Sequence, residues 1–252
     1  MTQIASQQNP RLKAVRRLHT KRERARRGAF VAEGEDLIAA AARAGRTPVE
    51  GFRLAGSGLG GETFHDVDEP ALASASTLGS GTRVIAVYEQ VWSAPTGPLC
   101  LYLHGVGDPG NIGTALRSAQ AFGASSVALG PGCADPHSPK AVRASMGAIF
   151  AVRLARVPGV TGLPGERIAL VAGAGEALRG PSDGESHGDA SREGGAVTLV
   201  VGAEREGLPE EVVSACERVA SIPIASESLN AAMAATVALY EMTRRPSRVP
   251  AS

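Results

Sequence analysis

Nowhere in the 252 residues does an apolar run approach the ~20 positions that a membrane-spanning helix needs, so a helical integral membrane protein is excluded. Cysteine is scarce: Cys100, Cys133 and Cys216 are far apart and odd in number, and two of them sit among apolar neighbours. No zinc-ligand spacing occurs, and the five histidines are scattered. These absences predict a reducing compartment, the cytoplasm, and no structural metal. The N-terminus is basic but lacks an apolar core, which excludes a secretory signal. The net charge is only +1, and 43% of the residues are hydrophobic, which excludes a disordered chain. The length suits one large domain or two small ones.

The small net charge hides an asymmetry. Arg11, Lys13, Arg16, Arg17, Lys21, Arg22, Arg24, Arg26 and Arg27 read as one basic helix interrupted by a single acid, Glu23. Such a run can be a solvated helix face or part of a transit peptide. It can also be a surface that tracks phosphates, where each neutralised phosphate releases counterions. The third reading is preferred because the run leads directly into folded structure.

Short strands then alternate with helices: a strand from Phe30, a helix over 36–44 ending at Gly45, a strand over 49–54, a helix over 69–78 and a strand over 82–89. This pattern predicts a small α/β domain over residues 1–92, with 93–98 as linker. A second α/β domain is expected over 99–246, with 247–252 as a tail. Its strands are read at 99–103, 126–129, 167–171, 197–201 and 220–224. They are continuous apolar runs, which indicates a parallel sheet covered on both faces. The Gly-, Ser-, Asp- and Glu-rich stretch 173–195 reads as a mobile surface loop, with His187 solvated in it.

The second domain opens on a stretch around which the chain is organised. After the strand 99–103 come a glycine loop, Asp108 as helix N-cap and Pro109 at the first helical position. Ile112, Ala115, Leu116, Ala119 and Phe122 recur at helical spacing, and Gly123 ends the helix. Arg117 lies off that stripe, with Gly113 one turn before it on the same face. Long helical side chains lean toward the N-terminus, so the guanidinium can reach the loop end, where free backbone N–H groups also favour an anion. Gly105-Val-Gly-Asp-Pro-Gly110 matches the dinucleotide-binding G-x-G-x-x-G pattern. Against a nucleotide-redox protein, Asp108 and Pro109 place a negative charge and a rigid ring where a pyrophosphate would lie. Asp135, in a Gly/Pro/His loop, is no ribose-binding acid either.

Open α/β sheets bind ligands beyond the carboxyl ends of their strands, and two further loops occupy such ends. One is 200–209, in which Gly202 allows a close approach to the backbone and Glu204 supplies a carboxylate. The other is 222–230, which opens a helix running through Tyr240 and stopping near Pro246. In its plainest reading Ser228 is the N-cap and Leu229, Met233, Thr236 and Tyr240 are core.

Taken together, these loops resemble the SpoU (TrmH-like) family of RNA 2'-O-ribose methyltransferases in the SPOUT superfamily. Asn111-Ile-Gly-Thr-Ala-Leu-Arg117 with Ala-Phe-Gly at 121–123 is similar to the first motif. Gly202-Ala-Glu204 with Gly207-Leu208 is similar to the second, and Ile222-Pro223 with Ser228-Leu-Asn230 to the third. The stretch 138–150 is also common in the family. The part from Asn9 through Gly34 resembles its L30e-like substrate-binding domain. The resemblance implies an α/β fold: a C-terminal parallel-sheet SPOUT domain with a trefoil knot, preceded by a small L30e-like domain. It further implies S-adenosylmethionine as cofactor, an RNA substrate, a homodimer and no metal.

By position, Gly202, Ile222 and Leu229 would contact the cofactor, and Asn111, Arg117, Glu204, Ser228 and Asn230 would line the reaction site. Arg11, Lys13, Arg16, Arg17, Lys21 and Arg22 would bind RNA. Ribosomal RNA is the first expected target; transfer RNA and a drug-resistance methylation of ribosomal RNA are the alternatives. Residues 224–227 are fewer than the family's usual segment and lack glycine, so a non-catalytic RNA-binding protein with a degenerate cofactor loop is the competing class. An arginine pKa above ~12 makes Arg117 a poor base. The expected role is to clamp a phosphate and stabilise the developing alkoxide while Asn111 orients the ribose.

Overall fold

The computed structural model describes residues 3–78, 81–180 and 195–244. His187, the helix stop near Pro246 and the tail 247–252 lie outside the described residues. The chain begins with α1 (Pro10–Leu18) and α2 (Lys21–Arg27), followed by β1 (Ala29–Glu33), α3 (Glu35–Arg43), β2 (Glu50–Leu54), β3 (His65–Val67), α4 (Glu69–Ala73) and β4 (Val84–Glu89). It continues with β5 (Leu99–Leu103), α5 (Pro109–Ala121), β6 (Ser126–Leu129), α6 (Pro139–Ala144), α7 (Ala148–Ala151) and β7 (Leu154–Arg156). Then come β8 (Glu166–Leu170), β9 (Glu176–Ala177), β10 (Val197–Val201), α8 (Glu210–Ser214), β11 (Arg218–Ser221) and α9 (Ala231–Thr243).

The expected single basic helix is two helices. Asn9 caps α1 by accepting from the Arg11 N–H at 2.9 Å, and Pro10 stands in its first turn. The break comes at Thr20, whose hydroxyl accepts from the Glu23 N–H and starts α2. Gly28, at φ +59°, ends α2 in the left-handed region.

The residues form two compact units, Met1–Val91 with Asp135–Ala151, and Trp92–Ala134 with Val152–Ser252. The first is built on a four-stranded sheet in the order β1-β4-β2-β3, antiparallel except for the β2–β3 pair. Leu12, Val15 and Leu18 of α1 share one core with Phe52, Leu72, Ile85 and Val87. On Phe30 and Tyr88 the later segment closes: Phe150 lies 5.8 Å from the Phe30 ring and 4.7 Å from Tyr88, and His137 lies 4.7 Å from Phe30. Asp135 of the same segment accepts from Arg24 Nε at 2.8 Å. Arg24 is only 3% exposed and also donates to the Leu18 and His19 carbonyls, so it is an interior clamp rather than part of a phosphate-tracking face. The segment 135–151 is thus grouped with the first unit, although it lies inside the stretch expected to form the second domain.

The second unit is a seven-stranded, all-parallel sheet in the order β7-β6-β5-β10-β8-β11-β9. From β5 the chain moves outward through β6 and β7 on one side, then fills the other side. The last apolar strand lies at Arg218–Ser221 rather than 220–224; Pro223, with no N–H to donate, falls beyond it. Strands β3, β7 and β9 and helix α8 were not read from the sequence, and β9 orders part of the stretch read as a mobile loop. Helix α4 is shorter than the expected 69–78. Helices α5 and α9 meet through Ser118 Oγ and Thr236 Oγ1 at 2.6 Å and the Phe122 and Tyr240 rings at 6.0 Å. All three cysteines are free, and among the described residues no helix is long and apolar enough to cross a membrane.

Candidate active site

Every residue of this site belongs to the second unit. Asp108 accepts from the Asn111 N–H at 3.0 Å and Pro109 occupies the first turn, as the sequence predicts, so Asn111 stands in the opening turn of α5. Beyond β10 the chain folds back on itself: Ala203 and Gly207 form a bridge, and the Gly207 N–H donates to the Ala203 carbonyl at 3.0 Å. A Cβ on Gly202 would lie 2.3 Å from the Gly207 carbonyl, so the absent side chain is needed for this fold-back as well as for ligand approach. The turn presents Glu204 to Asn111, whose Nδ2 donates to Glu204 Oε1.

Asn230 completes the cluster. Its Oδ1 accepts from the Ala232 and Met233 N–H groups at 2.9 and 3.3 Å, so Asn230, not Ser228, caps α9. With the oxygen committed to the helix, the Asn230 NH₂ must face the site. It donates to Asn111 Oδ1 at 3.1 Å and lies 3.5 Å from Glu204 Oε1. The hydrogen-bond chain fixes both amide orientations and requires Glu204 as an acceptor. Asn111 keeps one N–H beyond these bonds, and Glu204 keeps its second oxygen. That leaves one donor and one acceptor, a pair that can orient a hydroxyl-bearing ring.

Beside the cluster a cleft of about 110 Å³ opens at the carboxyl ends of β8 and β10. Gly202, Ile222 and Leu229 all line it, together with Glu204 and Ser228. Ile224, from the loop expected to wrap the cofactor, also lines it, as do Leu170, Val171 and Ala234, which were not singled out from the sequence. Finding Leu170 and Val171 requires knowing that β8 lies next to β10, which no local pattern records. The walls are apolar with one carboxylate, which suits an adenosyl group attached to a cation. The volume is below the ~300 Å³ of typical small-molecule sites, and residues 223–228 beside it are exposed.

Arg117 is exposed, Gly113 is buried, and the guanidinium has no hydrogen bond to the Asn111–Glu204–Asn230 cluster. The Ser228 side chain is exposed on the cleft wall, and its carbonyl accepts from Ser226 Oγ at 3.4 Å. Met233 and Tyr240, read as core, are 60% and 54% exposed. Beneath the site, Tyr102 OH and His104 Nδ1 lie 2.9 Å apart, and burial pushes the Tyr102 phenol up to about 12. No His/Cys/Asp/Glu group among the described residues could hold a metal ion.

In the first unit, Arg11 pairs with Glu50, and Arg16 donates to Ser74 Oγ and the Gln7 carbonyl. Lys13, Arg17, Lys21 and Arg22 are exposed and make no ion pair among the described residues.

The model of the SpoU rRNA Methylase family matches residues 98–240, and that of an MRM3-like substrate binding domain matches residues 9–94. The 23S rRNA (guanosine(2553)-2'-O)-methyltransferase RlmP of Bacillus subtilis is 28% identical over 96% of this chain and 99% of its own length. The 23S rRNA (uridine(2479)-2'-O)-methyltransferase of Streptomyces viridochromogenes is 38% identical over 54% of this chain and 49% of its own. Among solved structures, the AdoMet-bound rRNA methyltransferase from Sinorhizobium meliloti superposes with a TM-score of 0.80 at 28% identity, covering 95% of this chain and 96% of that one.

Proposed function

The chain belongs to the SpoU rRNA methylase family, and from that premise we propose that it methylates a ribose 2'-hydroxyl of ribosomal RNA, using S-adenosylmethionine. The observation that carries this reading is the Asn111–Glu204–Asn230 cluster at the mouth of an apolar cleft. Ribosomal RNA is preferred to transfer RNA because the B. subtilis and S. viridochromogenes relatives are both named for 23S rRNA. When bound, S-adenosylmethionine supplies a methyl group on a sulfonium whose departure leaves a neutral thioether, so no metal is needed.

The chain's own residues position the acceptor. Gly202, Ile222 and Leu229 hold the cofactor in the cleft. The spare N–H of Asn111 and the free oxygen of Glu204 orient the ribose, Asn230 holds both in place, and Ser228 adds a hydroxyl at the cleft wall. Positioning of this kind supplies a large share of the acceleration in a displacement reaction. Arg117, with its planar fork of donors, clamps a neighbouring phosphate and stabilises the developing alkoxide. Lys13, Arg17, Lys21 and Arg22 track phosphates on the first unit, with Arg11 and Arg16 beside them.

The SPOUT trefoil knot, a cytoplasmic location and a homodimer belong to the same reading. For the dimer, Met233, Val237 and Tyr240 recur at i, i+4 and i+7 on α9 and are 60%, 40% and 54% exposed. Sedimentation is expected to give a dimer for the parent chain and a monomer for Met233→Glu with Tyr240→Glu. A monomeric parent removes that part of the proposal.

The function itself is tested by transfer of labelled methyl from S-adenosylmethionine to unmodified ribosomal RNA, with nucleoside analysis of the product. A 2'-O-methyl nucleoside is expected. No transfer together with no cofactor binding by calorimetry would leave a non-catalytic RNA-binding protein, the reading that the short 224–227 loop favours.

A further inference from the structure

Among the described residues, Met146 is the one non-glycine residue with a positive φ, at +48°. That backbone is unfavourable for any side chain with a Cβ, and glycine or asparagine would sit there more easily. Packing does not reward the methionine either, since it is 55% exposed. The conformation is imposed from both sides. At the end of α6 the Met146 N–H donates to the Arg143 carbonyl at 3.0 Å, and the buried Ser145 hydroxyl donates to the Val142 carbonyl at 2.7 Å. On the other side, a Cβ on Gly147 would lie 2.3 Å from Ala40 Cβ, so the chain rests directly on α3 there. Ala148, Ile149 and Phe150 then enter the core. Two buried anchors thus hold a strained residue outward, and strain kept at an exposed position points to a contact with something else.

The surroundings of Met146 are cationic rather than apolar. Arg43, three residues beyond Ala40, shares that face of α3; it is exposed and makes no ion pair among the described residues. Arg143, three residues before Met146, donates through Nη1 to Thr77 Oγ1 at 3.0 Å, which leaves other N–H groups of its fork available. Asp36 is on the same face of α3 but in its first turn, at the far end from Arg43. None of the other exposed large hydrophobic residues lies in α3 or in 135–151, so Met146 is not part of a wide apolar patch of the kind that docks a protein.

A single rigid apolar tip between guanidinium groups fits a nucleic-acid strand, whose base faces are flat and apolar and whose phosphates are anionic. We propose that Met146 is a wedge that packs against the face of an unstacked RNA base, with Arg43 and Arg143 at the flanking phosphates. Methionine is one of the side chains that proteins insert at base steps, and its thioether packs favourably against aromatic rings. Proteins that read RNA engage such unstacked bases. The proposal rests on the RNA reading above and gives the first unit a contact with bases in addition to its phosphate-tracking helices.

The test uses the full chain with Met146→Gly, Met146→Leu and Arg43→Ala. Glycine adopts the left-handed backbone freely, so Met146→Gly removes the side chain with the melting temperature unchanged or raised. Binding of unmodified large-subunit ribosomal RNA is measured by filter retention. Met146→Gly is expected to weaken it by about threefold to tenfold, and Met146→Leu to stay near the parent. Arg43→Ala should weaken it too and lower the slope of log affinity against log salt by about 0.7–0.9, the share of one phosphate. In Met146→Gly the loss should appear in KM for RNA rather than in kcat, with S-adenosylmethionine affinity unchanged. Parent-like RNA affinity in Met146→Gly overturns the proposal. The same affinity with a smaller assembly in sedimentation would assign Met146 to a contact between protein chains and overturn it likewise. Methyl transfer by the parent chain is scored separately, so failure of the wedge and failure of the methyltransferase reading give different results.

Discussion

Asn230→Asp separates two duties that one side chain performs. The Asn230 oxygen caps α9 through two backbone N–H groups, at 2.9 and 3.3 Å, while its NH₂ donates into the Asn111–Glu204 cluster. Aspartate is as good an N-cap as asparagine, and its charge favours a helix N-terminus by about 0.3–1 kcal/mol. On the other side it replaces a donor by an anion facing the Glu204 carboxylate and the Asn111 carbonyl oxygen. Two carboxylates at that distance cannot both ionise freely, so one of the pair titrates well above the usual carboxylate range. Asn230→Ala, by contrast, removes both the cap and the donor. Loss of the cap costs about 1 kcal/mol, a fall of roughly 2–4 °C in melting temperature for a domain of this size.

The expected pattern is therefore a melting temperature unchanged or raised in Asn230→Asp and lowered in Asn230→Ala, with methyl transfer down about 100-fold or more in both. Activity of the aspartate variant should partly return as pH falls, because a protonated carboxyl can again donate to Glu204. Calorimetric melting and label transfer at several pH values read these effects. Equal destabilisation by the two variants would refute the cap assignment. Parent-like turnover in Asn230→Asp would refute the polar cluster as the reaction site.

Arg117→Ala should leave calorimetric cofactor affinity intact and lower methyl transfer by about 100-fold or more; unchanged turnover removes its role. Gly202→Ala forces a Cβ to 2.3 Å from the Gly207 carbonyl, so the fold-back must open. Stability should fall by about 1–3 kcal/mol in denaturant titration, and cofactor affinity should fall with it. Arg24→Ala leaves the largely covered Asp135 carboxylate without its ion-pair partner and is expected to cost about 3–5 kcal/mol. Arg22→Ala, at an exposed position, should leave stability unchanged and flatten the salt dependence of RNA binding. Burial pushes the Cys100 and Cys133 thiols up, so native protein at pH 8 should react slowly with iodoacetamide and fully only after unfolding.

The sequence showed what short-range chemistry decides. Asp108, Pro109 and Gly123 bracket α5, and apolar runs mark the central strands, because capping and burial leave local signatures. Where two local solutions compete, tertiary contacts choose. Ser228 and Asn230 are both good caps, and only the latter also has Asn111 and Glu204 to face. Arg24 reads like its basic neighbours, yet Asp135, far along the chain, draws it inside. The cleft was half legible: Gly202, Ile222 and Leu229 stand in recognisable loops, whereas Leu170 and Val171 enter it only through strand order.

The grouping of residues 135–151 with the first unit bears on how such a protein can be taken apart. A chain that passes from one unit to the other, returns and leaves again is not a pair of beads on a string. Cut after residue 92, the N-terminal piece would keep Arg24 inside without Asp135 and would expose the Phe30 and Tyr88 faces that Phe150 covers. The missing segment could not be supplied by lengthening the piece, because residues 93–134 of the other unit intervene. Grafting the RNA-recognition part onto another enzyme would need a rewired chain in which 135–151 follows the first ninety residues directly.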